Sequence, residues 1–520
     1  MFINNNKVKR TGLRAKSRSF ILLVILVLSG NTAFNQSPAN YYNEPHRPQV
    51  HFSPKAKWMN DPNGMVFYNN TYHLFYQYYP DSTIWGPMHW GHATSKNLIH
   101  WEHQPIALYP DSLGYIFSGS AVADVNNTSG FGEGGKIPLV AIFTHHDPVG
   151  EKAGTGTHET QSIAYSLDEG VTWKKYENNP VLKNPGIKDF RDPKVMWYEP
   201  GKKWIMTLAT LDHITFYSSP NLKDWTRESE LGKEFGAHGG VWECPDLFTL
   251  DYKGQQVWIL VVNINPGGPN GGSATQYFTG EFDGKKFTPH QTDTRWLDYG
   301  PDEYAGITWS NTGKRKIFLG WMSNWQYANV VPTGAWRSAT TIPRDLGLEK
   351  LGDKYLVTSR PVNELSAIVE KQEMLKNVDA GNFDLTGKTG KLSGPAMLTI
   401  KAAKIKEFSI SLSNKAGEKL VVGFDKTANQ YFIDRTNSGK IDFDTGFAKK
   451  HVAPRFSTKQ NTDITLVIDN ASIELFADNG LSVMTAIFFP NQLYSDITIQ
   501  SQEGFKIDSL QFTRLKSIWR

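Results

Sequence analysis

Three separated segments of this chain share one plan, in which an acid beside a proline leads into two short apolar runs joined by a turn. Asp61-Pro62-Asn63-Gly64 opens MVFYNNTYHLFYQ, Asp192-Pro193 opens KVMWYEPGKKWIMTL, and Glu243-Cys244-Pro245-Asp246 opens LFTLDYKGQQVWILVV. Weaker copies start near Ser118 and near Ala305, so successive starts lie 57, 74, 51 and about 60 residues apart. A second pattern closes the units, in Ser95–Trp101, Ser166–Trp173 and Ser219–Trp225. Runs of Val, Ile, Phe, Tyr and Trp bounded by Gly, Pro and Asn predict strands, and a period of this length with about four strands per unit predicts propeller blades. A β-sandwich with coincidental hairpins is the competing reading.

The whole chain is therefore expected to be all-β: a five-bladed β-propeller over 45–350 followed by a two-sheet β-sandwich over 378–520. Residues 351–377 form the link, and PVNELSAIVEKQEMLKN within it has helix-like spacing. Beyond it, eight alternating runs from MLTIKAA to SLQFTR predict eight to ten sandwich strands.

The first 18 residues hold six basic residues and no acid, and Phe20–Leu28 is an unbroken apolar run before small and polar residues. This is the pattern of a secretory signal over residues 1–35, and nine helical residues reach only about 14 Å, short of a ~30 Å hydrocarbon core. An uncleaved anchor is the alternative. The expectation is an exported protein, extracellular or periplasmic, with no membrane span in its mature form. Setting those six charges aside turns the net charge of +4 into −2, which argues against a nucleic-acid partner. Cys244 is the only cysteine, so no internal disulfide and no cysteine-rich zinc site can form.

The acids Asp61, Asp192 and Glu243 occupy equivalent places in their units, so blade geometry would gather them at one end of the central axis. Clustered carboxylates push their proton affinities apart, which lets one act as acid while another stays ionised, as glycosidic cleavage requires. Arg191 would help keep Asp192 ionised. Each piece alone has an ordinary reading: a turn for Asp-Pro-Asn-Gly, a surface ion pair for Arg191-Asp192, a solvated side chain for Glu243. Their shared position favours a site. Trp58, Trp85, Trp242, Trp321 and Trp325 offer ring faces for sugar C–H groups, and Asn60 and Gln77 offer partners for hydroxyls. No G-x-S-x-G, H-E-x-x-H or P-loop sequence is present, and His145-His146-Asp147 reads as a polar turn rather than a metal site.

Trp58–Gly64, Phe117-Ser-Gly-Ser120, Phe190-Arg-Asp-Pro193 and Trp242-Glu-Cys-Pro-Asp246 together resemble glycoside hydrolase family 32, which includes invertases, levanases and inulinases. Trp85–His92, Trp101-Glu102 and Asp469–Phe476 are similar to that family too. The resemblance implies a five-bladed propeller with a sandwich, and no metal or cofactor. It implies Asp61 as the nucleophile on a β-fructofuranosyl carbon, Glu243 as general acid and base, and Asp192 as the transition-state stabiliser. Net retention would follow. It further implies that Asn60, Gln77, Trp85, Ser118, Arg191 and Trp321 line the terminal fructose pocket, with Asp302 as a further substrate contact. Glu303 stands where the family commonly has an aromatic.

These expectations converge on an exported, retaining hydrolase that frees terminal fructose from levan or inulin, with sucrose as a further candidate substrate. Its rivals are an endo-levanase, a sucrose-preferring invertase, a catalytically silent fructan-binding protein, and an arabinan-type glycosidase with the same three-acid plan.

Overall fold

A computed structural model describes residues 41–519; the expected signal segment, residues 1–35, lies outside them. Within 57–361 the strands form five separate sheets, and within 369–515 two sheets of six strands each. The chain is thus all-β, with a propeller followed by a sandwich.

The five sheets begin with Lys57–Tyr68, Tyr115–Ala123, Phe190–Tyr198, Val241–Tyr252 and Tyr304–Thr308. These first strands touch in that order, and the last returns to the first, closing a ring. Trp336-Arg337 completes the closure by pairing in parallel with Lys57-Trp58. Hairpins follow the turn chemistry of the sequence: Asn69-Asn70 and Lys253-Gly254 all have positive φ, which suits two-residue turns between twisted strands.

Every first strand carries a register irregularity near its N-terminal end: at Met59/Pro62, Ile116/Gly119, opposite Thr207/Ala209, at Glu243/Asp246 and at Tyr304/Ile307. Proline has no N–H for the ladder: Pro193 and Pro245 fall in the unpaired gaps, and Pro62 closes the gap that leaves Asn60 and Asp61 unpaired. A bulge re-aims the neighbouring side chain. Asp192, Cys244 and Ala305 accordingly take φ values of 63°, 43° and 53°. Gly64 is obligatory at its bend, because its φ is +52° and a Cβ there would lie 2.6 Å from the Phe75 ring.

Two segments differ from expectation. Residues 361–377 are helical only in part: a six-residue 3₁₀ helix, Asn363–Ile368, leads into the strand Val369–Asp379, paired along Lys506–Leu515. The C-terminal strand offered an open ladder, and pairing overrode local spacing. Lys354–Pro361, also placed in the link, is the outer strand of the fifth sheet. The sandwich accordingly has twelve strands, the additional ones being Val369–Asp379, Asn382–Asp384, Gln430–Asn437 and Lys450–Pro454.

Between the sandwich sheets lies one apolar core that includes Leu398, Ile410, Leu466 and Phe512. A second cluster crosses the junction, joining Val467, Phe476 and Leu515 to Trp58, Trp309 and Trp321. Buried charges pin the same junction: Arg344 pairs with Asp298 and Glu474, and Arg435 with Asp302. Among the described residues no helix is long and apolar enough to cross a membrane.

Candidate active site

Asp61, Asp192 and Glu243, each at the irregularity of a different first strand, line one cavity of about 330 Å³. Asn60, Gln77, Trp85, Ser118 and Arg191 line it as well.

The Asp61 carboxylate is held from both sides. Asn60 Nδ2 donates to its Oδ1 at 2.9 Å, and Ser118 Oγ donates to its Oδ2 at 2.6 Å. Trp58 Nε1 fixes Asn60 by donating to its Oδ1 at 2.7 Å. Asp192 is buried, and its Oδ2 accepts the Cys244 N–H at 3.0 Å. Burial, and after it the Glu243 charge, push the Asp192 carboxyl up to about 8. Arg191 pulls the other way, in the direction expected of it, but burial and Glu243 outweigh it. Its guanidinium is spent elsewhere. Nε and Nη2 donate to Glu243 Oε1 at 3.2 and 3.1 Å, while Nη1 donates to Asp189 at 2.7 Å and to Glu159 at 3.2 Å.

Glu243 receives a further hydrogen bond at Oε2 from the Tyr304 hydroxyl. Its proton affinity is nevertheless raised, chiefly by burial and also by the Asp61 charge, against the pull of Arg191 and Tyr304. The site therefore holds protons as a coupled set rather than residue by residue. Gln77 is buried at the cavity wall, and its Nε2 donates to no protein group.

Four expected sugar contacts lie elsewhere: Trp58 and Trp242 are fully buried and line no part of the cavity, and the same holds for Trp321 and Asp302. Trp321 is fully buried behind the wall, its ring 6.2 Å from Trp58 and 4.9 Å from Trp325, and Trp325 lines the cavity in its place. The strand Ile317–Met322 is covered on both faces, so its indole points into the junction core. Asp302 binds no cavity surface. It accepts hydrogen bonds from Tyr327 and Arg435 and from the Ile487 N–H at the propeller–sandwich junction. Its neighbour Tyr304 is the one that reaches the acids.

Sequence reasoning read one wall wrongly at His146 and missed Glu159 within it. His146 ends the strand Leu139–His146 rather than sitting in a turn, and faces Glu159 across the ladder. Glu159 Oε2 accepts the Phe190 N–H at 2.7 Å, and His146 reaches Glu159 and Glu151 with its two nitrogens at 3.3 and 3.1 Å. Burial alone would raise the Glu159 carboxyl, but Arg191, His146 and the Phe190 N–H bring it down to about 2. Phe117 stacks on His146 with ring centres 4.1 Å apart. His146, His158 and Glu159 bring ligand-type atoms within 4.8 Å of one another. Glu159 is committed to Arg191, His146 and the Phe190 N–H, while His158 Nδ1 is buried without a hydrogen-bond partner. A cross-strand pair of this kind leaves no local signature, because neither residue shares a motif with the other.

The chain belongs to glycosyl hydrolase family 32: the family's N-terminal domain model matches residues 51–360 and its C-terminal model residues 364–515. It is a glycoside hydrolase. Levanase of Bacillus subtilis (strain 168) is 45% identical over 520 residues, covering 97% of this chain and 76% of the relative. Extracellular exo-inulinase inuE of Aspergillus niger is 41% identical over 490 residues, covering 86% and 90%. Among solved structures, exo-inulinase from Aspergillus awamori superposes with a TM-score of 0.84 at 38% identity, covering 92% of this chain and all of that one. The β-fructofuranosidase of Schwanniomyces occidentalis, complexed with fructosyl-erythritol, gives 0.83 at 33% identity, covering 92% of this chain and 100% of that one.

Proposed function

We propose that this hydrolase is an exported, exo-acting β-fructosidase that releases terminal fructose from fructans with retention of configuration. Asp61 is the nucleophile, Glu243 the general acid and then base, and Asp192 the stabiliser that hydrogen-bonds the fructose hydroxyls. The observation that carries this reading is the meeting of three carboxylates, from three different sheets, in one cavity.

Asp61 suits attack because Asn60 and Ser118 hold its oxygens in fixed directions and its carboxylate stands at the cavity surface. Glu243 suits proton donation because burial favours its protonated form, while Arg191 and Tyr304 favour the carboxylate that remains after the proton leaves. The free Nε2 of Gln77 is a donor waiting for a sugar oxygen. A cavity of about 330 Å³ lies at the small end of the ~300–1,000 Å³ range of ligand pockets. That size suits a chain end more than a polymer lying across the site. Relatives named levanase and exo-inulinase support a fructan as substrate. Export rests on the basic and apolar N-terminal pattern and on the relative named extracellular.

A timed product analysis on levan, inulin and sucrose tests the reading. Free fructose alone at the earliest points is expected. Early fructo-oligosaccharides would make the enzyme endo-acting, cleavage of sucrose alone would make it an invertase, and no product from any of the three would refute fructoside cleavage. Glu243→Gln is expected to lower kcat by several orders of magnitude in a folded protein, since such residues act as a unit.

A further inference from the structure

Among the described residues Arg191 is the one cation paired with Glu243, and what Glu243 can do as an acid depends on how firmly that cation faces it. The guanidinium has two working edges. Nε and Nη2 face Glu243 Oε1, and Nη1 faces away from it towards Asp189 and Glu159. Glu159 is almost wholly buried, and every strong partner it has is accounted for: Arg191, His146 and the Phe190 N–H. That backbone bond ties Glu159 to the residue immediately before Arg191. His146, held in turn by Glu151 and stacked beneath Phe117, backs the carboxylate from the neighbouring strand.

We infer that Glu159 is a positioning residue for the acid/base step: it anchors the Nη1 edge of Arg191 and takes up part of the guanidinium charge, so that Glu243 keeps its proton until the glycosidic oxygen needs it. Glu159 never touches the reacting bond. It acts through Arg191, and this inference rests on the assignment of Glu243 as acid/base.

The sign follows from electrostatics. Glu243 is faced by Arg191, Asp61, Asp192, Tyr304 and Cys244, and Glu159 by Arg191, His146 and His158, with Asp189 on the shared guanidinium. Replacing Glu159 by Gln deletes a negative charge and leaves more of Arg191's positive charge to Glu243. Both changes favour the ionised form of Glu243. The alkaline limb of kcat/KM, which records loss of the acid's proton, then moves to lower pH. A charge in direct contact shifts a carboxyl by about one pH unit or more, and Glu159 reaches Glu243 only through Arg191, so the displacement is expected to be a fraction of that.

The experiment is the pH profile of kcat/KM on inulin for the full chain, its Glu159→Gln and Glu159→Asp forms, and Glu243→Gln. The expected result is an alkaline limb displaced to lower pH in Glu159→Gln by about half a unit. Glu159→Asp keeps the charge and is expected to hold the limb within a few tenths of a unit of wild type while kcat falls. An unmoved limb in Glu159→Gln, or a limb moved to higher pH, overturns the inference. Should Glu159→Gln fail to fold, Glu159→Asp decides, because a displaced limb in a form that retains the charge also overturns it. Full activity in Glu243→Gln would instead refute the acid/base assignment itself, so the two failures are distinguishable.

Discussion

His51 precedes the first propeller strand yet is bonded wholly to the sandwich. Its Nδ1 lies 2.7 Å from Asp469 Oδ2 and its Nε2 2.9 Å from Glu474 Oε1, with all three side chains fully buried. Burial alone would lower the imidazole, but the two carboxylates outweigh it and raise the group to about 9. An unfolded chain returns it to about 6.5. The difference of roughly 2.5 units corresponds to about 3 kcal/mol of stability at ~1.36 kcal/mol per unit. Because the folded value is the higher one, this contribution is complete below about pH 6.5 and is lost as pH rises through about 9. His51→Gln retains a hydrogen bond but not the charge. Urea unfolding of both proteins at about pH 6 and about pH 9.5 is therefore expected to show the gap between them shrinking by about 3 kcal/mol at the higher pH. With an m-value above ~3 kcal/mol/M for a chain of this size, that is a convergence of the midpoints by up to about 1 M. A gap that stays constant, or widens with pH, would refute the reasoning.

The Tyr304 hydroxyl stabilises the ionised form of Glu243, so Tyr304→Phe is expected to move the alkaline limb of kcat/KM to higher pH, opposite to Glu159→Gln. A hydrogen bond to a charged acceptor is worth ~1.5 kcal/mol or more, or about one pH unit, and a limb moving the other way would deny Tyr304 this role. Asp302→Ala leaves Arg435 buried without its carboxylate, which costs about 3–5 kcal/mol in unfolding experiments. KM on inulin is expected to stay at the wild-type value, and a raised KM with unchanged stability would return Asp302 to the sugar site.

The parts of this protein that were legible in the chain are those where one local cause produces both the structure and the chemistry. Pro62, Pro193 and Pro245 remove a ladder donor, the ladder slips, and the acid one or two residues earlier turns towards the axis. The motif that places the carboxylate is thus the motif that breaks the strand, and both are visible in a few consecutive letters. Ser118 and Tyr304 also stand at the break in their own first strands, but no proline accompanies them, and Gly119 and Gly306 there are set against neighbouring backbone or ring. Glycine is common enough in loops that those two units read as weak copies. Glu159 obeys no such rule. It comes from the third strand of its sheet, and its function depends on being opposite His146 and beneath Arg191, 32 residues away. Trp321 departs from expectation for a related reason: it lies four letters from Trp325, and only the packing of the sandwich against Ile317–Met322 decides that its indole is sealed in the junction while Trp325 reaches the cavity. Val369–Asp379 is the same case at the level of a strand, since its ladder partner lies at the far end of the chain. Local breaks in pairing write themselves into the sequence, whereas partners supplied by another strand become visible only once register and packing are known.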